Sequence, residues 1–274
     1  MKNDSNVQDQ INKLALCLED VSRWMLQNRL KLNPSKTEII LFRSPRSRST
    51  IDNVLLLFEG NVIIGKNSLK SLGVTLDPYM KLDKHVTKLA SSAWFKLRSI
   101  SRIRNQINKK VTEVLVNSLI TSKMDYCNSL LYGLPARQIN KLKRVQNAAA
   151  KTIVLAKKRQ PVTPILRSLH WLPVKYRSQY KLLVITYKIL SGSAPAYLTE
   201  LISEYHPARN LRSSGQRLLR QVACVRTKYG QRAFSNASPV LWNSLPTAIR
   251  NAESLIAFKK LLKSHLFIEH FGSG

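Results

Sequence analysis

One segment of the sequence has the spacing of a phosphate-binding loop. Residues 60–67, GNVIIGKN, match the first seven positions of a P-loop, with Lys66 at the place of the lysine that reaches the nucleotide phosphates. The motif needs Ser or Thr next, to bind magnesium, and this chain has Asn67 there. Because Val-Ile-Ile favours a strand over a loop of free N–H groups, we interpret the segment as a β-hairpin and reject a P-loop.

Carboxylates that could hold catalytic metal ions are sparse. Phosphoryl transfer with two metals needs two or three carboxylates that converge on ions about 4 Å apart. The sequence has no Asp-Asp pair and no Asp-x-Asp, and the acids of its strand-rich segment are Asp52, Glu59, Asp77 and Asp83. Turn or cap roles fit Asp77 and Asp83, so we predict no metal site and no catalytic carboxylate.

The histidines and cysteines do not form a recognisable site either. His265 and His270 are five residues apart, which points them to different faces of a helix. Cys17, Cys127 and Cys224 are too far apart in sequence for a zinc knuckle, a Cys-x-x-Cys site or a disulfide-rich secreted scaffold. The polar N-terminus is unlike a signal peptide, and no apolar run has the length of a membrane span. We therefore expect an intracellular protein of the nucleus or cytoplasm that uses neither a membrane nor a small-molecule cofactor.

Positive charge is the dominant feature of the composition. The chain has 45 Lys and Arg against 15 Asp and Glu, a net charge of +30, and its 44% of hydrophobic residues excludes a disordered basic tail. Residues 84–112, 126–199 and 205–252 hold eight, thirteen and eight basic side chains and no acidic one, whereas residues 1–42 hold six basic and five acidic. Because like charges repel on a compact body, this pattern favours a nucleic-acid partner. A basic surface with no fixed ligand is the alternative.

The hydrophobic periodicity predicts a mainly α-helical chain with a small antiparallel β element near its N-terminus, an α+β class. A helix is expected over about residues 5–28, stopped by Asn33-Pro34, and is followed by a strand over 37–42, a hairpin of 54–58 with 62–64, and a short strand over 72–76. Helical spacing then predicts helices over about 82–100, 108–119, 135–153 and 174–190, and a last one through Leu255 and Leu266.

Basic residues are expected on the faces of these helices opposite the apolar stripes, with basic helix faces over 81–104 and 135–159. The candidate nucleic-acid-binding residues are Lys96, Arg98, Arg102, Arg104, Lys109, Lys110, Lys141, Lys143, Arg144, Lys151, Lys157, Lys158 and Arg159.

Several segments carry a resemblance to a known family. They are WMLQNRLKLNPSKTEIILF (24–42), KSLGVTLDPYM (70–80), MDYCNSLLYGLP (124–135), LHWLPVKYRSQYKLLVITYKILSGSAPAYL (169–198), RAFSNASPVLWNSLPTAIR (232–250) and FKKLLKSHLF (258–267). Together they make the chain resemble the reverse transcriptase of non-LTR retrotransposons, of the jockey-like LINE kind, over essentially its whole length.

The resemblance implies a domain order and roles for particular residues. Residues 1–80 correspond to the end of the palm, 81–160 to a helical thumb and 161–274 to a helical and looped C-terminal region. Lys36 corresponds to a lysine near the incoming triphosphate, and Leu72, Gly73 and Val74 to the primer grip. The match begins downstream of the family's Tyr/Phe-Ala-Asp-Asp turn, so the magnesium-binding aspartates of the complete polymerase are expected to be absent here.

Three hypotheses follow for function. The first is a fragment of an RNA-directed DNA polymerase that retains surfaces for an RNA template and a DNA primer but is inactive alone. The second is a stand-alone, non-catalytic basic protein that binds nucleic acid. The third is a chain that folds poorly, because the strands at 37–42 and 72–76 are exposed edges without partners.

Overall fold

A computed structural model gives the fold of the chain. It describes residues 2–44, 55–205, 217–222, 225 and 227–272. The chain divides into two compact units, Met1–His85 and Val86–Gly274. The described residues are mainly helical, with two small antiparallel hairpins in the first unit, which confirms the predicted balance of secondary structure. The three-part division at 80/81 and 160/161 stays a prediction.

The first unit begins with one long helix. Helix α1, Lys2–Gln27, agrees with the predicted N-terminal helix but ends before the predicted proline stop. Just after the helix, Arg29 takes a φ of 58°. The N–H of Leu30, which lies beyond the helix, then donates to the carbonyl of Met25 in its last turn. This left-handed ending closes the last turn by itself. The proline instead starts a separate 3₁₀ turn, Pro34–Lys36.

The first hairpin forms where the sequence predicts it. Strands β1, Leu55–Phe58, and β2, Asn61–Ile64, are antiparallel, with Phe58 opposite Asn61. The two-residue turn between them has φ of 47° at Glu59 and 75° at Gly60. Positive φ at both central residues is what the common two-residue hairpin turn requires, because its twist matches that of the strands. The segment that resembles a P-loop in sequence is therefore half of a hairpin.

The predicted strand over residues 37–42 is wrong as a regular strand. Ile39 makes a single isolated parallel bridge with Gly65. The backbone N–H of Arg43, just beyond the segment, donates to the carbonyl of Pro78 at 2.9 Å. Neighbouring parts of this stretch thus bond to different elements, which prevents a continuous ladder.

The predicted strand over residues 72–76 is half right. Strands β3, Leu69–Ser71, and β4, Val74–Leu76, form a second antiparallel hairpin, so only the last three residues are strand. Leu72 and Gly73 form its two-residue turn, with φ of 45° and 86°. Glycine accepts such a φ freely, whereas leucine does not, and the apolar character of Leu72 is what made it resemble a strand residue.

The core of the first unit is small. Ile11 of α1 packs with Leu56, Phe58 and Ile63 of the first hairpin. The rest of the predicted apolar stripe of α1 is more open, and Val21 is 41% exposed. A few apolar contacts therefore hold this unit together.

The second unit is a helical assembly. Its helices are α2 (Asp83–Ile103, which begins just before the unit boundary), α3 (Lys109–Val116), α4 (Ser122–Asp125), α5 (Ala136–Val154), α6 (Thr163–Ser168), α7 (Val174–Leu190), α8 (Ala196–Thr199), α9 (Lys228–Arg232), α10 (Phe234–Asn243), α11 (Thr247–Arg250) and α12 (Leu255–Phe271).

The long helices α2, α5, α7 and α12 confirm the predicted periodicity. The helix predicted over 108–119 differs, because α3 passes into a wide π turn at Asn117–Thr121 and then into α4, so that helical backbone continues to Asp125. Residues 203–250, where the sequence showed weak periodicity, contain α9, α10 and α11, and residues 206–216 of that stretch lie outside the described chain.

Aromatic side chains lie at the centre of the larger core of the second unit. Phe258 of α12 is completely buried and stacks on Tyr187 of α7, with ring centroids 4.4 Å apart. Phe258 also contacts Trp242 of α10, with ring centroids 5.7 Å apart. These rings join three helices that are distant in sequence, through contacts that bury large apolar areas.

Several buried polar groups in this core are paired with one another or with the backbone. The hydroxyls of Thr186 and Ser238 lie 2.6 Å apart, and the Tyr187 hydroxyl donates to the carbonyl of Ala252 at 2.8 Å. The side-chain amide of Asn243 bonds both the N–H and the carbonyl of Leu219, at 2.9 and 2.8 Å. Because an unpaired buried polar group is costly, these bonds fix the relative placement of α7, α10 and the chain around residue 219.

Within the described residues, none of the helices combines the length and the apolar composition that crossing a bilayer requires.

Candidate nucleic-acid interface

Twelve of the thirteen basic residues predicted to bind nucleic acid lie at the surface of the second unit. Lys96, Lys141 and Lys151 are half-buried, and the other nine are exposed. They extend along α2, the start of α3, α5 and the loop after α5.

Arg104 is the exception and leaves the candidate set. It is 7% exposed, and its guanidinium donates to the carbonyls of Ile107, Thr152 and Ile153 at 2.8, 2.9 and 2.8 Å. The last two carbonyls belong to the final turn of α5, where helix carbonyls lack partners within the helix. Arg104 therefore fastens the end of α2 to the end of α5.

The surface cations of the second unit have few acidic partners. Residues 86–274 contain 32 Lys and Arg and 6 Asp and Glu. Among the described residues of this unit, the single ion pair joins Arg177 and Asp125 at 2.6 Å. None of the twelve surface candidates forms an ion pair within the part of the chain that the structure describes, so their charge is left for solvent ions or a polyanion.

Carbonyl oxygens take the place of carboxylates around several of these cations. The Lys151 ammonium donates to the carbonyl of Lys158 at 2.6 Å, and Arg232 donates to the carbonyl of Tyr132 at 3.2 Å. Lys141 donates to the Thr87 hydroxyl at 2.8 Å and so joins α5 to α2. Such neutral acceptors satisfy N–H donors and position the side chains, but they do not cancel the positive charge.

One pair of cations lies close together on α2 and α4. A side-chain contact with Lys123, followed by desolvation and by repulsion between the two ammonium groups, lowers the pKa of Lys96. Lys123 was not among the sequence candidates, because its place opposite Lys96 depends on how α4 folds back. An anion that bridged the two ammonium groups would relieve this repulsion.

Of the four residues that the resemblance pairs with polymerase positions, Lys36, Leu72 and Gly73 lie on turns of the first unit, and Val74 begins strand β4. Lys36 is exposed at the end of its 3₁₀ turn. Leu72 is 86% exposed at the tip of the β3–β4 turn, Gly73 is exposed beside it, and Val74 is 5% exposed and belongs to the unit's interior. The turn thus presents its backbone and the Leu72 side chain outward, while Val74 anchors it.

The acids of the strand region have structural partners. The carboxylate of Asp77 accepts the backbone N–H groups of Tyr79 and Lys81, both at 3.1 Å, and of Leu82 at 2.6 Å, which confirms a turn and cap role. Glu59 accepts the Ser22 hydroxyl at 2.7 Å. Asp52 lies outside the described residues. No group of three His, Cys, Asp or Glu that could hold a metal ion occurs in the described chain.

Sequence reasoning missed a group of rings and cations where α5, α7 and α12 meet. The rings of Tyr176 and His270 lie 5.2 Å apart. Desolvation, and then the positive charge of Lys143, lowers the pKa of His270, and Lys175 adds to that effect. The adjacent Lys175-Tyr176 in an acid-free stretch was the available signal, but nothing in the sequence placed it beside His270.

No family model, curated protein or solved structure matches the chain. The likeness to LINE-type reverse transcriptases therefore depends on the sequence motifs quoted above.

Replacing Arg104 by lysine tests its structural role. A lysine cannot span the three carbonyls, so we expect Arg104→Lys to lower the free energy of unfolding in urea by about 3 kcal/mol. The matched control is Arg102→Lys on the exposed side of α2, which we expect to change it by less than about 0.5 kcal/mol. Equal effects of the two substitutions would show that Arg104 does not hold the helix ends together.

Proposed function

We propose that the chain binds the phosphate backbone of a template–primer nucleic acid, as the thumb and C-terminal region of a LINE-type RNA-directed DNA polymerase do. The observation that carries the proposal is the second unit's set of twelve surface cations with no ion pair in the described chain, together with its ratio of 32 basic to 6 acidic residues.

The electrostatic argument is independent of the family resemblance. Cations on one compact body repel one another, and a polyanion relieves that repulsion while releasing its own condensed counterions. Helices α2 and α5 are joined through Lys141 and Arg104, so their basic residues are held on a connected scaffold. A fixed backbone scaffold of this kind presents its cations to successive phosphates without a rearrangement of the helices.

The first unit contributes to the same proposal through the resemblance. Lys36 would lie near the triphosphate of an incoming nucleotide, and the backbone of Leu72 and Gly73 would support the primer end, since the turn is exposed and glycine permits close approach. By the same resemblance, magnesium would be held by aspartates of the complete polymerase. The carboxylates of Asp77 and Glu59 accept hydrogen bonds within the first unit.

A stand-alone nucleic-acid-binding role is the second candidate. The observation that favours it is that the basic surface occurs in a unit with its own aromatic core around Phe258 and Trp242. This candidate predicts binding that is tolerant of sequence and of strand type, whereas a polymerase remnant predicts a preference for a recessed 3′ end on an RNA template.

The salt dependence of binding tests the proposed interface. On duplex DNA the logarithm of the association constant falls with the logarithm of salt concentration, by about 0.9 per phosphate contacted. We expect a steep slope for the wild-type chain, measured by fluorescence anisotropy, and we expect the triple substitution Lys157→Gln, Lys158→Gln and Arg159→Gln to reduce its magnitude by roughly two to three.

The matched control removes three exposed cations from the first unit. Lys13→Gln, Arg29→Gln and Lys31→Gln change the net charge equally but alter positions outside the proposed interface. We expect the slope to change by less than about one for this variant. A flat slope in the wild type, or equal reductions in both variants, would contradict the proposed interface.

Primer extension tests the catalytic part. With Mg²⁺, deoxynucleotides and a DNA primer on an RNA template, we expect no incorporation by the chain alone, because the metal-binding aspartates that the reaction requires are not found in this sequence. In the same samples, tighter binding of a hybrid with a recessed 3′ end than of a hybrid with a recessed 5′ end and an equal overhang would favour the polymerase remnant over the stand-alone protein. Template-dependent incorporation would contradict the proposal of an inactive chain.

A further inference from the structure

A cavity of about 670 Å³ opens in the second unit between α5, α7 and the end of α12. It is lined by residues 131–134 before α5, by Ile139, Asn140 and Lys143 of α5, by the start of α7, and by His270. Its volume is in the range of pockets that hold a nucleotide-sized ligand.

One side of the cavity is apolar and offers flat surfaces. The apolar lining residues are Leu131, Leu134, Ala136, Ile139, Pro173 and Val174. Tyr132 and Tyr176 also line it, and the Tyr176 ring lies 5.2 Å from the ring of His270, tilted by 52°. Aromatic rings beside an apolar wall provide the stacking surface that a nucleobase requires.

Polar groups at the cavity are free to bind a ligand. The side-chain amides of Asn140 and Gln179 line it and make no hydrogen bond within the described chain, and neither is a buried unsatisfied group. An amide offers both a donor and an acceptor, so two of them can pair with the edge of a base. These groups would be unused by a purely apolar ligand.

The charge at the cavity is positive. Lys143 and Lys175 line it and form no ion pair within the described residues, and the Lys175 ammonium lies 5.7 Å from the centre of the Tyr176 ring. No Asp or Glu lines it. Burial, and then the charge of nearby Glu269, raises the pKa of Tyr176. Burial, and then Lys143, lowers the pKa of His270 although Glu269 opposes this. The site therefore favours an anionic ligand.

We propose that this cavity takes one unpaired nucleotide of a single-stranded nucleic acid. The base packs on Tyr176 and the apolar wall, the amides of Asn140 and Gln179 bond its edge, and the flanking phosphates contact Lys143 and Lys175. The inference builds on the proposed function, because it specifies which form of nucleic acid the second unit prefers. A base held in a duplex cannot enter the cavity, so it confers selectivity for single strands that a surface array of lysines does not.

Substitution of Tyr176 tests the stacking contact. We expect Tyr176→Leu to weaken binding of a ten-nucleotide oligothymidylate about tenfold, and to leave the affinity for a ten-base-pair blunt duplex unchanged, as measured by fluorescence anisotropy at one salt concentration. The matched control is Tyr197→Leu in α8, where the tyrosine is 68% exposed and outside the cavity, and both affinities should stay at their wild-type values.

A second variant keeps the test decisive if Tyr176→Leu fails to fold. The double substitution Asn140→Ala and Gln179→Ala removes no hydrogen bond of the described chain, and we expect it to weaken single-strand binding severalfold with no effect on the duplex. A thermal melt that matches the wild type confirms folding.

Two outcomes separate the cavity from the wider proposal. If the wild type binds single strand and duplex with the same steep salt dependence, and neither variant alters their ratio, the cavity proposal is overturned and the proposed function stands. If the wild type binds neither form, both are overturned. Displacement of the oligothymidylate by a polyglutamate peptide of equal charge, with equal efficiency, would also overturn the cavity proposal, since it would leave the rings and amides without a role.

Discussion

Repulsion between positive charges is the constraint on which the second unit depends. With 32 basic and 6 acidic residues in one helical assembly, the folded state brings cations closer together than the unfolded chain does. The aromatic core around Phe258 and the paired buried hydroxyls of Thr186 and Ser238 must outweigh this cost. The contact of Lys96 with Lys123, which lowers the pKa of Lys96, is one place where repulsion remains in the fold.

Neutral carbonyl oxygens accept hydrogen bonds from several cations of the second unit. Arg104 donates to three carbonyls, Lys151 to one, and Arg232 to those of Tyr132 and Leu130. The single ion pair of the described second unit joins Arg177 and Asp125, and Arg177 also donates to the carbonyl of Leu172. Helix ends supply such carbonyls because their last turns lack internal donors. Charges are positioned but not neutralised, and this is what makes the surface suited to a polyanion.

Periodicity and charge predicted much of this arrangement from sequence, since they are local properties. They predicted the long helices, and twelve of the thirteen candidate cations lie at the surface. Arg104 was misplaced because α2 ends at Ile103 and a 3₁₀ turn follows, so the helical face no longer extends to it. Leu72 was assigned to a strand because apolar type does not reveal a positive φ. The cavity beside His270 depends on contacts between α5, α7 and α12, which no local pattern contains.

The central claim is that the basic surface of the second unit contacts the phosphates of the nucleic-acid backbone. Lysine footprinting tests it most directly: the intact chain is acylated at low reagent concentration with and without a single-stranded oligonucleotide, and the modification of each lysine is measured by mass spectrometry. We predict protection of Lys143, Lys157 and Lys158, and unchanged modification of Lys13 and Lys31, all five of which are exposed in the free chain. Equal protection of both groups, or protection of Lys13 and Lys31 alone, would contradict the claim.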